Sequence, residues 1–325
     1  MQLFLTGGTG FFGRALLRHW LSEAGNGQAV PEITLLTRSC DSFLNQYPEF
    51  DGLPWLHFIQ GDILCPESLP REYSFSHVLH AAADSTQGPN LQPLQRFEQI
   101  VEGTRNMLDF ALNCGAKRFL LTSSGAVYGT QPCGMERIPE DYNGIPDPLN
   151  PRNAYGIAKR TAEHLCALYQ DAYGIEGIIA RCFAFVGQDL PLNVHFAIGN
   201  FIRDALWHDA INVAGNGMPV RSYLDQQDLA IWLLTLLEKG QAGTAYNVGS
   251  DEAVTIAELA YLVRDTLAPN KPVYIQGQPG ADHNNRNRYV PDVAKIKGEL
   301  GLQVSVSLVE AIKRTAEKAI LEKRT

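Results

Sequence analysis

Short apolar runs alternate with longer amphipathic stretches through the first half of the chain. The runs are continuously apolar, as in LFLT at 3–6 and FLLT at 119–122, which is typical of strands buried on both faces of a parallel sheet. The predicted strands are Gln2–Thr6, Ile33–Thr37, Leu56–Gln60, His77–Ala81, Arg118–Thr122 and Gly177–Arg181. The predicted helices are Phe12–Glu23, Pro93–Asn113 and Arg152–Tyr173. This alternation predicts βαβ units and an α/β fold with a Rossmann-type, doubly wound parallel sheet.

After Arg181 the pattern loosens into turns, such as the segment AGNG at 214–217, and shorter helices. The predicted helices here are Ala197–Trp207, Gln227–Glu238, Ile256–Leu267, Pro291–Leu300 and Leu308–Lys318. Neither a repeat nor a linker-like stretch separates the two halves. We therefore expect a dinucleotide-binding domain over residues 1–180, joined by parts of 211–250, and a smaller interleaved domain, mainly substrate-binding, over 181–325.

Composition places the chain among ordinary globular proteins. Of its 325 residues, 45% are hydrophobic and 19% are charged, with a net charge of −8, so disorder is excluded as the main state. No basic face is expected, and nucleic acid is not an expected partner. The best apolar run, Leu229–Leu237, is too short to cross a bilayer. The six cysteines lack a CxxC pair, so we predict reduced thiols, no metal site and a cytoplasmic location.

A glycine-rich turn follows the first predicted strand. Gly7, Gly10 and Gly13 stand at three-residue spacing between that strand and a helix. Glycine permits a tight turn and lets backbone N–H groups approach a pyrophosphate, which the helix dipole also favours. A close-packed turn without a ligand needs the same residues, so the position in the chain carries more weight than the glycines. We predict a dinucleotide site at this turn.

Two residues at later strand ends bear on the choice of cofactor. Arg38 follows the second strand, where NAD-binding folds usually carry an acid for the ribose hydroxyls. An arginine there favours NADP over NAD because it can meet a 2′-phosphate, although a solvated arginine would look the same. Asp62 follows the third strand and fits either an adenine contact or a simple turn aspartate.

Three further residues indicate proton-transfer chemistry. Tyr155 and Lys159 are four positions apart and so share one helix face. An ammonium neighbour favours the phenolate of a tyrosine, which makes it a usable acid or base. Spacing alone favours a buried tyrosine and a solvated lysine without a catalytic role. Ser124 lies at the end of the fifth strand, where open α/β sheets bind ligands, so the three together predict a site that acts on a substrate oxygen.

Six motifs together resemble one known family. They are GGTGFFG at 7–13, GDI at 61–63, HAAA at 80–83, SSGAVYG at 123–129, YGIAK at 155–159 and NVG at 247–249. The chain resembles, along its whole length, the extended short-chain dehydrogenase/reductases of the subgroup that modifies nucleotide-sugars as epimerases, dehydratases or reductases. The resemblance implies a nucleoside-diphosphate sugar as substrate and a homodimer.

The same resemblance assigns roles to individual residues. It makes Ser124, Tyr155 and Lys159 the catalytic residues, with Ser124 also contacting substrate. The implied cofactor-binding residues are Gly7, Gly10, Phe11, Phe12, Gly13, Arg38, Asp62, Ile63, Ala81, Ala82, Ala83, Tyr155 and Lys159. Arg221 and Arg288 match positions where the family pairs arginines with the diphosphate of the substrate. A surface arginine without a ligand would fit either position equally well.

Departures from the family pattern reduce the number of reactions that this chain is expected to catalyse. The family's 4,6-dehydratases carry Asp and Glu at the positions of Gly125 and Ala126, and its decarboxylases keep the glutamate, so both reactions lack a catalyst here. We predict hydride transfer at C4 of a nucleoside-diphosphate hexose, with Arg38 favouring NADPH-dependent reduction of a 4-keto-6-deoxy sugar. The alternatives are a 4-epimerase with bound NAD, a carbonyl reductase for a non-nucleotide substrate, which Ala184 in place of a family asparagine would fit, and a non-catalytic NADP-binding regulator.

Overall fold

A computed structural model describes residues 1–83, 90–277 and 288–323. The strands are β1 (Gln2–Thr6), β2 (Glu32–Thr37), β3 (Leu56–Gln60), β4 (His77–His80), β5 (Arg118–Ser124), β6 (Glu176–Cys182), β7 (Phe185–Val186), β8 (Ile211–Val213), β9 (Val220–Arg221), β10 (Leu224–Asp225), β11 (Thr244–Val248), β12 (Val254–Thr255), β13 (Val273–Ile275) and β14 (Arg288–Tyr289). The α-helices are α1 (Phe11–Gly25), α2 (Cys40–Gln46), α3 (Pro93–Asn113), α4 (Ala154–Tyr173), α5 (Ala197–Trp207), α6 (Gln226–Lys239), α7 (Ile256–Leu267), α8 (Ala294–Leu300) and α9 (Leu308–Glu322).

The described chain divides into two compact units. Unit 1 comprises Met1–Gly129, Ile145–Cys182 and Ala230–Tyr246, and unit 2 comprises Thr130–Gly144, Phe183–Leu229 and Asn247–Thr325. The segment 130–144, which the sequence-based division placed in the first domain, therefore belongs to unit 2. Within the described ranges, no helix is long and apolar enough to cross a membrane.

Unit 1 is built around a seven-stranded sheet in the order β11-β6-β5-β4-β1-β2-β3. The strands from β6 to β3 pair in parallel, with Leu5 of β1 in register with Leu35 on one side and Leu79 on the other. These leucines are fully buried, as expected for a sheet covered on both faces. The strand order reverses between β1 and β4, where open α/β sheets bind ligands. The fold class expected from the sequence is confirmed.

Unit 2 contains short strands and helices. Its small sheets pair β7 with β10, β8 with β13, and β9 with both β12 and β14. Helices α5, α7 and α9 pack against one another, and α7 also contacts β8 and β13. The buried polar side chain of Asp228 accepts hydrogen bonds from the backbone N–H groups of Ser305 and Val306, which fixes the chain before α9.

Two helices start two or three residues later than the sequence predicts, whereas the starts of α1 and α6 differ from the prediction by one residue. The predicted helix Pro291–Leu300 begins only at Ala294, because Asp292 Oδ1 accepts from the Ala294 N–H while Pro291 bridges to Ile138. The predicted helix from Arg152 begins at Ala154, and residues 151–153 form a 3-10 turn. In both places local hydrogen bonds to the backbone compete with the first helical turn.

Candidate active site

The glycine turn at the end of β1 belongs to unit 1 and packs closely against neighbouring backbone. Gly7 has φ +72°, and a Cβ built there would lie 2.4 Å from the carbonyl oxygen of Ala81. A Cβ at Gly13 would lie 2.1 Å from the Cα of Gly8. Neither position therefore admits a side chain. At Gly10, by contrast, the Gly7 oxygen at 3.3 Å is the one described atom within 4 Å of an added Cβ.

Gly10 is also the residue that precedes α1, so its open face adjoins the positive end of a helix of 15 residues. Phe11 and Phe12 form the first helical positions. A pyrophosphate binds where bare backbone adjoins the positive end of a helix. The residues at 7–13 thus fit a dinucleotide.

The segment Ala81–Ala83, which the family resemblance implies to be cofactor-binding, lies beside this turn. The Ala81 N–H donates to the Thr6 carbonyl oxygen at 3.1 Å, and the Ala82 N–H donates to Thr6 Oγ1 at 3.3 Å. The side chains of Ala81, Ala82 and Ala83 are all partly exposed. The structure therefore brings 81–83 and the glycine turn together at the point where the strand order reverses.

Arg38, Asp62 and Ile63 follow β2 and β3 in the same unit. The Arg38 side chain is exposed just after the end of β2. Asp62 Oδ1 accepts from the Leu64 N–H at 2.9 Å, so the carboxylate supports a local turn. Ile63 is buried in the core cluster of unit 1, with its side chain against Gly103. Their cofactor contacts stay predictions.

The three residues predicted to be catalytic are assembled in unit 1. Strand β5 continues two residues beyond its predicted end and places Ser124 at its carboxyl edge, where Ser124 Oγ accepts from the Ala126 N–H at 3.1 Å. Tyr155, at the start of α4, lies close enough to Ser124 for the serine hydroxyl to lower the pKa of its phenol. Lys159, one turn further along α4, is buried and donates from Nζ to the Thr122 carbonyl oxygen at 2.7 Å.

Burial governs the electrostatics of this trio. It lowers the pKa of Lys159 to about 8, because a charged amine is poorly solvated there. Burial also raises the pKa of Tyr155, while the Ser124 hydroxyl and the charge of Arg96 act in the opposite direction. His80, beneath the site, has its pKa lowered to about 3 by burial and by Lys159. It is therefore neutral, with Nδ1 paired to Thr6 Oγ1 at 2.8 Å.

A partly buried ion pair that the sequence reasoning missed lies next to the trio. Arg181 of β6 contacts Glu163 of α4 at 2.8 Å, and its other terminal nitrogen donates to the Tyr128 hydroxyl at 2.9 Å. Ser123 Oγ donates to Glu163 at 2.5 Å. These bonds join β5, β6, α4 and the turn after Ser124. The available signal was Glu163, four residues after Lys159 on the same helix face.

A second missed residue is Arg96 of α3. Its guanidinium carbon lies 4.1 Å from the centroid of the Tyr155 ring. Because the two residues are 59 positions apart on different helices, no local pattern links them.

The turn after Ser124 carries no acidic side chain. Gly125 and Ala126 begin a 3-10 turn over Gly125–Tyr128, and a Cβ at Gly156 would lie 2.7 Å from the Ala126 carbonyl oxygen. The backbone of this turn therefore packs directly on the start of α4. Its two first positions add neither an acid nor a base beside Tyr155.

The two predicted diphosphate arginines lie in unit 2. Arg221 is on β9 and Arg288 on β14, and these strands pair in parallel with Arg288 opposite Val220. Arg221 donates to the Val220 carbonyl oxygen at 2.8 Å, and Arg288 donates to that of Glu136 at 2.6 Å. The structure thus brings the two arginines onto neighbouring strands, and their contact with substrate stays a prediction.

Comparison with known proteins agrees with this geometry. Residues 3–249, about three quarters of the chain, match the sequence model of the NAD dependent epimerase/dehydratase family. The chain belongs to this family. It is therefore an enzyme of the extended short-chain dehydrogenase/reductase class that includes nucleotide-sugar enzymes, as the motifs predicted.

Similar family members are known in sequence and in structure. UDP-glucuronic acid decarboxylase 6 of Arabidopsis thaliana is 30% identical over 96% of this chain and 87% of its own length. UDP-glucuronic acid decarboxylase 1 of Danio rerio is 29% identical over 97% of this chain and 72% of its own length. The dTDP-glucose 4,6-dehydratase of Streptomyces venezuelae, solved with NAD bound, is 26% identical with a TM-score of 0.83, covering 100% of this chain and 98% of that one.

Proposed function

We propose that this family member transfers a hydride at C4 of a nucleoside-diphosphate hexose, and that it reduces a 4-keto-6-deoxy sugar with NADPH. The observation that carries the proposal is the assembled Ser124, Tyr155 and Lys159 beside a turn whose positions 125 and 126 are glycine and alanine. These residues serve proton exchange at a substrate oxygen. They supply no further acid or base with which to eliminate water.

Each of the three residues has a separate role in proton transfer. Ser124 orients the substrate oxygen, and Tyr155 delivers a proton to it or removes one from it. Lys159, held by the Thr122 carbonyl, stabilises the phenolate form of Tyr155. The glycine turn and residues 81–83 would hold a dinucleotide cofactor. When bound, its nicotinamide ring would supply or accept the hydride.

The named activity of the sequence relatives supports a nucleotide-sugar substrate but not the same reaction. Those relatives are UDP-glucuronic acid decarboxylases. The decarboxylases of the resembled family carry a glutamate where this chain has Ala126. Because the neighbouring carboxylate, Glu163, is occupied by Arg181 and Ser123, it does not replace the missing one. We therefore favour a reaction that needs hydride and proton transfer alone.

Epimerisation at C4 with bound NAD is the second candidate. The solved dehydratase at 26% identity holds NAD, and epimerisation uses the same trio without a second acid or base. The two reactions differ in cofactor balance. With a 4-keto-6-deoxy nucleotide-sugar, stoichiometric loss of NADPH absorbance supports the reductase, whereas interconversion of C4 epimers without net consumption selects the epimerase. If no nucleotide-sugar binds, a non-nucleotide carbonyl becomes the better substrate class.

The first prediction concerns elimination. Offered an NDP-glucose, the enzyme is expected to release no 4-keto-6-deoxy product, because neither position 125 nor position 126 provides the acid or base that elimination needs. Product formation is followed by mass spectrometry, with a known 4,6-dehydratase run in parallel as the positive control. Robust release of water from the sugar would refute the role given to Gly125 and Ala126.

The second prediction concerns Arg38. Arg38→Ala is expected to weaken NADP binding by about 1–3 kcal/mol, the value of a charge-assisted contact to phosphate, and to leave NAD binding almost unchanged. Calorimetric titration of both cofactors measures this. Arg71→Ala, which removes another exposed arginine of unit 1, is the matched control. Equal losses for the two cofactors would show that Arg38 does not select the 2′-phosphate.

We also propose that the chain forms a homodimer in the cytoplasm. Large apolar side chains on the outer faces of α3 and α4 support an interface between copies, among them Leu112 (39% exposed) and Leu168 (49% exposed). All six cysteines are free, which suits a reducing compartment. Light scattering of the purified protein measures the mass and so tests the dimer.

A further inference from the structure

One permanent charge faces the reactive tyrosine from a different helix. Arg96 lies on α3, and α3 packs along α4 within unit 1. Its guanidinium carbon is 4.1 Å from the centroid of the Tyr155 ring, close enough for a cation–π contact. Both side chains are partly buried, so solvent screens the contact only in part.

The other groups around Tyr155 differ from Arg96 in kind. Ser124 is a neutral hydroxyl, and Cys182 of β6 has its pKa raised to about 12 by burial, so it is an uncharged thiol. Lys159, on the same helix as Tyr155, has a pKa of about 8 and loses its charge on mild alkalinisation. A guanidinium stays protonated at every pH at which a protein is folded. Arg96 therefore supplies a positive charge at Tyr155 that does not change over the working pH range.

A cation over the ring face acts on ionisation as well as on packing. The negative charge of a phenolate spreads from the oxygen into the ring, so a cation there stabilises the phenolate more than the neutral phenol. Removing the cation disfavours the phenolate, which makes Tyr155 a weaker proton donor and leaves less of the base form at a given pH.

We propose that Arg96 is a positioning residue that holds the Tyr155 ring and favours its ionised form, so that the pH range of activity is set jointly by Arg96 and Lys159. The proposal rests on the proposed role of Tyr155 in proton transfer. It assigns to α3 a part in the chemistry that the sequence motifs on β5 and α4 do not show.

The test compares the pH profiles of turnover and of KM in the enzyme with its cofactor. In reduction Tyr155 must hold the proton that it donates, so its ionisation sets the alkaline limb of turnover. In Arg96→Met this alkaline limb is expected to move up by about one pH unit, and turnover near neutral pH is expected to fall at most roughly tenfold because the weaker acid donates less readily, while the KM for cofactor changes less than about twofold. Arg96→Lys, which keeps the charge, is expected to lie between this variant and the wild type. Arg105→Met removes an exposed arginine from the same helix and is expected to match the wild type.

A second readout follows the ionisation of Tyr155 without turnover. The near-ultraviolet tyrosinate absorbance of the holoenzyme is titrated, and the spectrum of Tyr155→Phe is subtracted to isolate one residue. In Arg96→Met this ionisation is expected at higher pH, and Arg96→Gln repeats the measurement if the methionine variant does not fold.

The possible outcomes distinguish failure of the Arg96 proposal from failure of the proposed function. If Tyr155→Phe is inactive but the Arg96 variants keep the wild-type limb and tyrosinate titration, the inference about Arg96 is wrong and the proposed function stands. A uniform loss of turnover at every pH would likewise assign Arg96 a structural role alone. If Tyr155→Phe is active, the proposed function itself fails.

Discussion

Replacing Tyr155 with phenylalanine is expected to lower turnover by about two to four orders of magnitude, the usual range for removing a general acid or base. The phenylalanine ring keeps the packing against α3 and the contact with Arg96, while the hydroxyl beside Ser124 is lost. Cofactor affinity is therefore expected to change little. Turnover with a 4-keto nucleotide-sugar and cofactor titration measure the two quantities separately.

The matched control for this variant is Tyr169→Phe. Tyr169 lies on the same helix, and its hydroxyl donates to Asp109 at 2.5 Å on an exposed face. Its loss removes a tyrosine hydroxyl from α4 without touching Ser124 or Lys159. Near-normal turnover in Tyr155→Phe, or an equal loss in Tyr169→Phe, would contradict the catalytic assignment of Tyr155.

Replacing Lys159 with methionine is expected to lower turnover by orders of magnitude and yet to raise stability at neutral pH. The buried amine has a pKa of about 8 against an ordinary value of 10.5, so below pH 8 the folded state carries a charge that the unfolded chain solvates better. Methionine has a similar shape and no charge. After subtraction of the lost hydrogen bond to Thr122, a gain of about 2 kcal/mol in the free energy of unfolding is expected for the protein without cofactor.

The pH dependence of this gain follows from the same pKa. The destabilising charge is fully present below pH 8 and disappears as the pH rises from about 8 towards 10.5, because the folded state releases its proton first. Urea unfolding at pH 7 and pH 10 measures the difference between variant and wild type, with the exposed Lys117→Met as control. A methionine variant that is less stable at pH 7, or a gain that does not shrink at pH 10, would contradict this account.

Much of unit 1 was predictable because most of its strands have apolar centres and its connections are regular. Strand β3 has the predicted limits, and β1 and α3 do as well. Helix α2 was missed, since it is seven residues long and buries only Phe43, which leaves no periodic apolar face. Several strands of unit 2, such as β9 and β14, are two residues long and are defined by their pairing partners, which a local pattern does not contain.

The site shows the same division between local and non-local information. Tyr155 and Lys159 were found because helical spacing places them on one face, and Ser124 because strand ends collect at one edge of a sheet. The contact of Arg96 with Tyr155 depends on how α3 and α4 are aligned, which the chain fixes only through packing. The links of Arg181 to Glu163 and Tyr128 likewise join three separate elements.

The crowding of the glycine turn has a consequence for how a ligand is received. Gly7 abuts the backbone at Ala81, and Gly13 abuts Gly8, so the turn is wedged between β4 and α1 by contacts that form when unit 1 folds. A loop fixed in this way has already lost its conformational entropy on folding. Binding then needs no further ordering of these residues, and the free energy of each backbone contact to a ligand is expressed in affinity rather than offset by loop immobilisation.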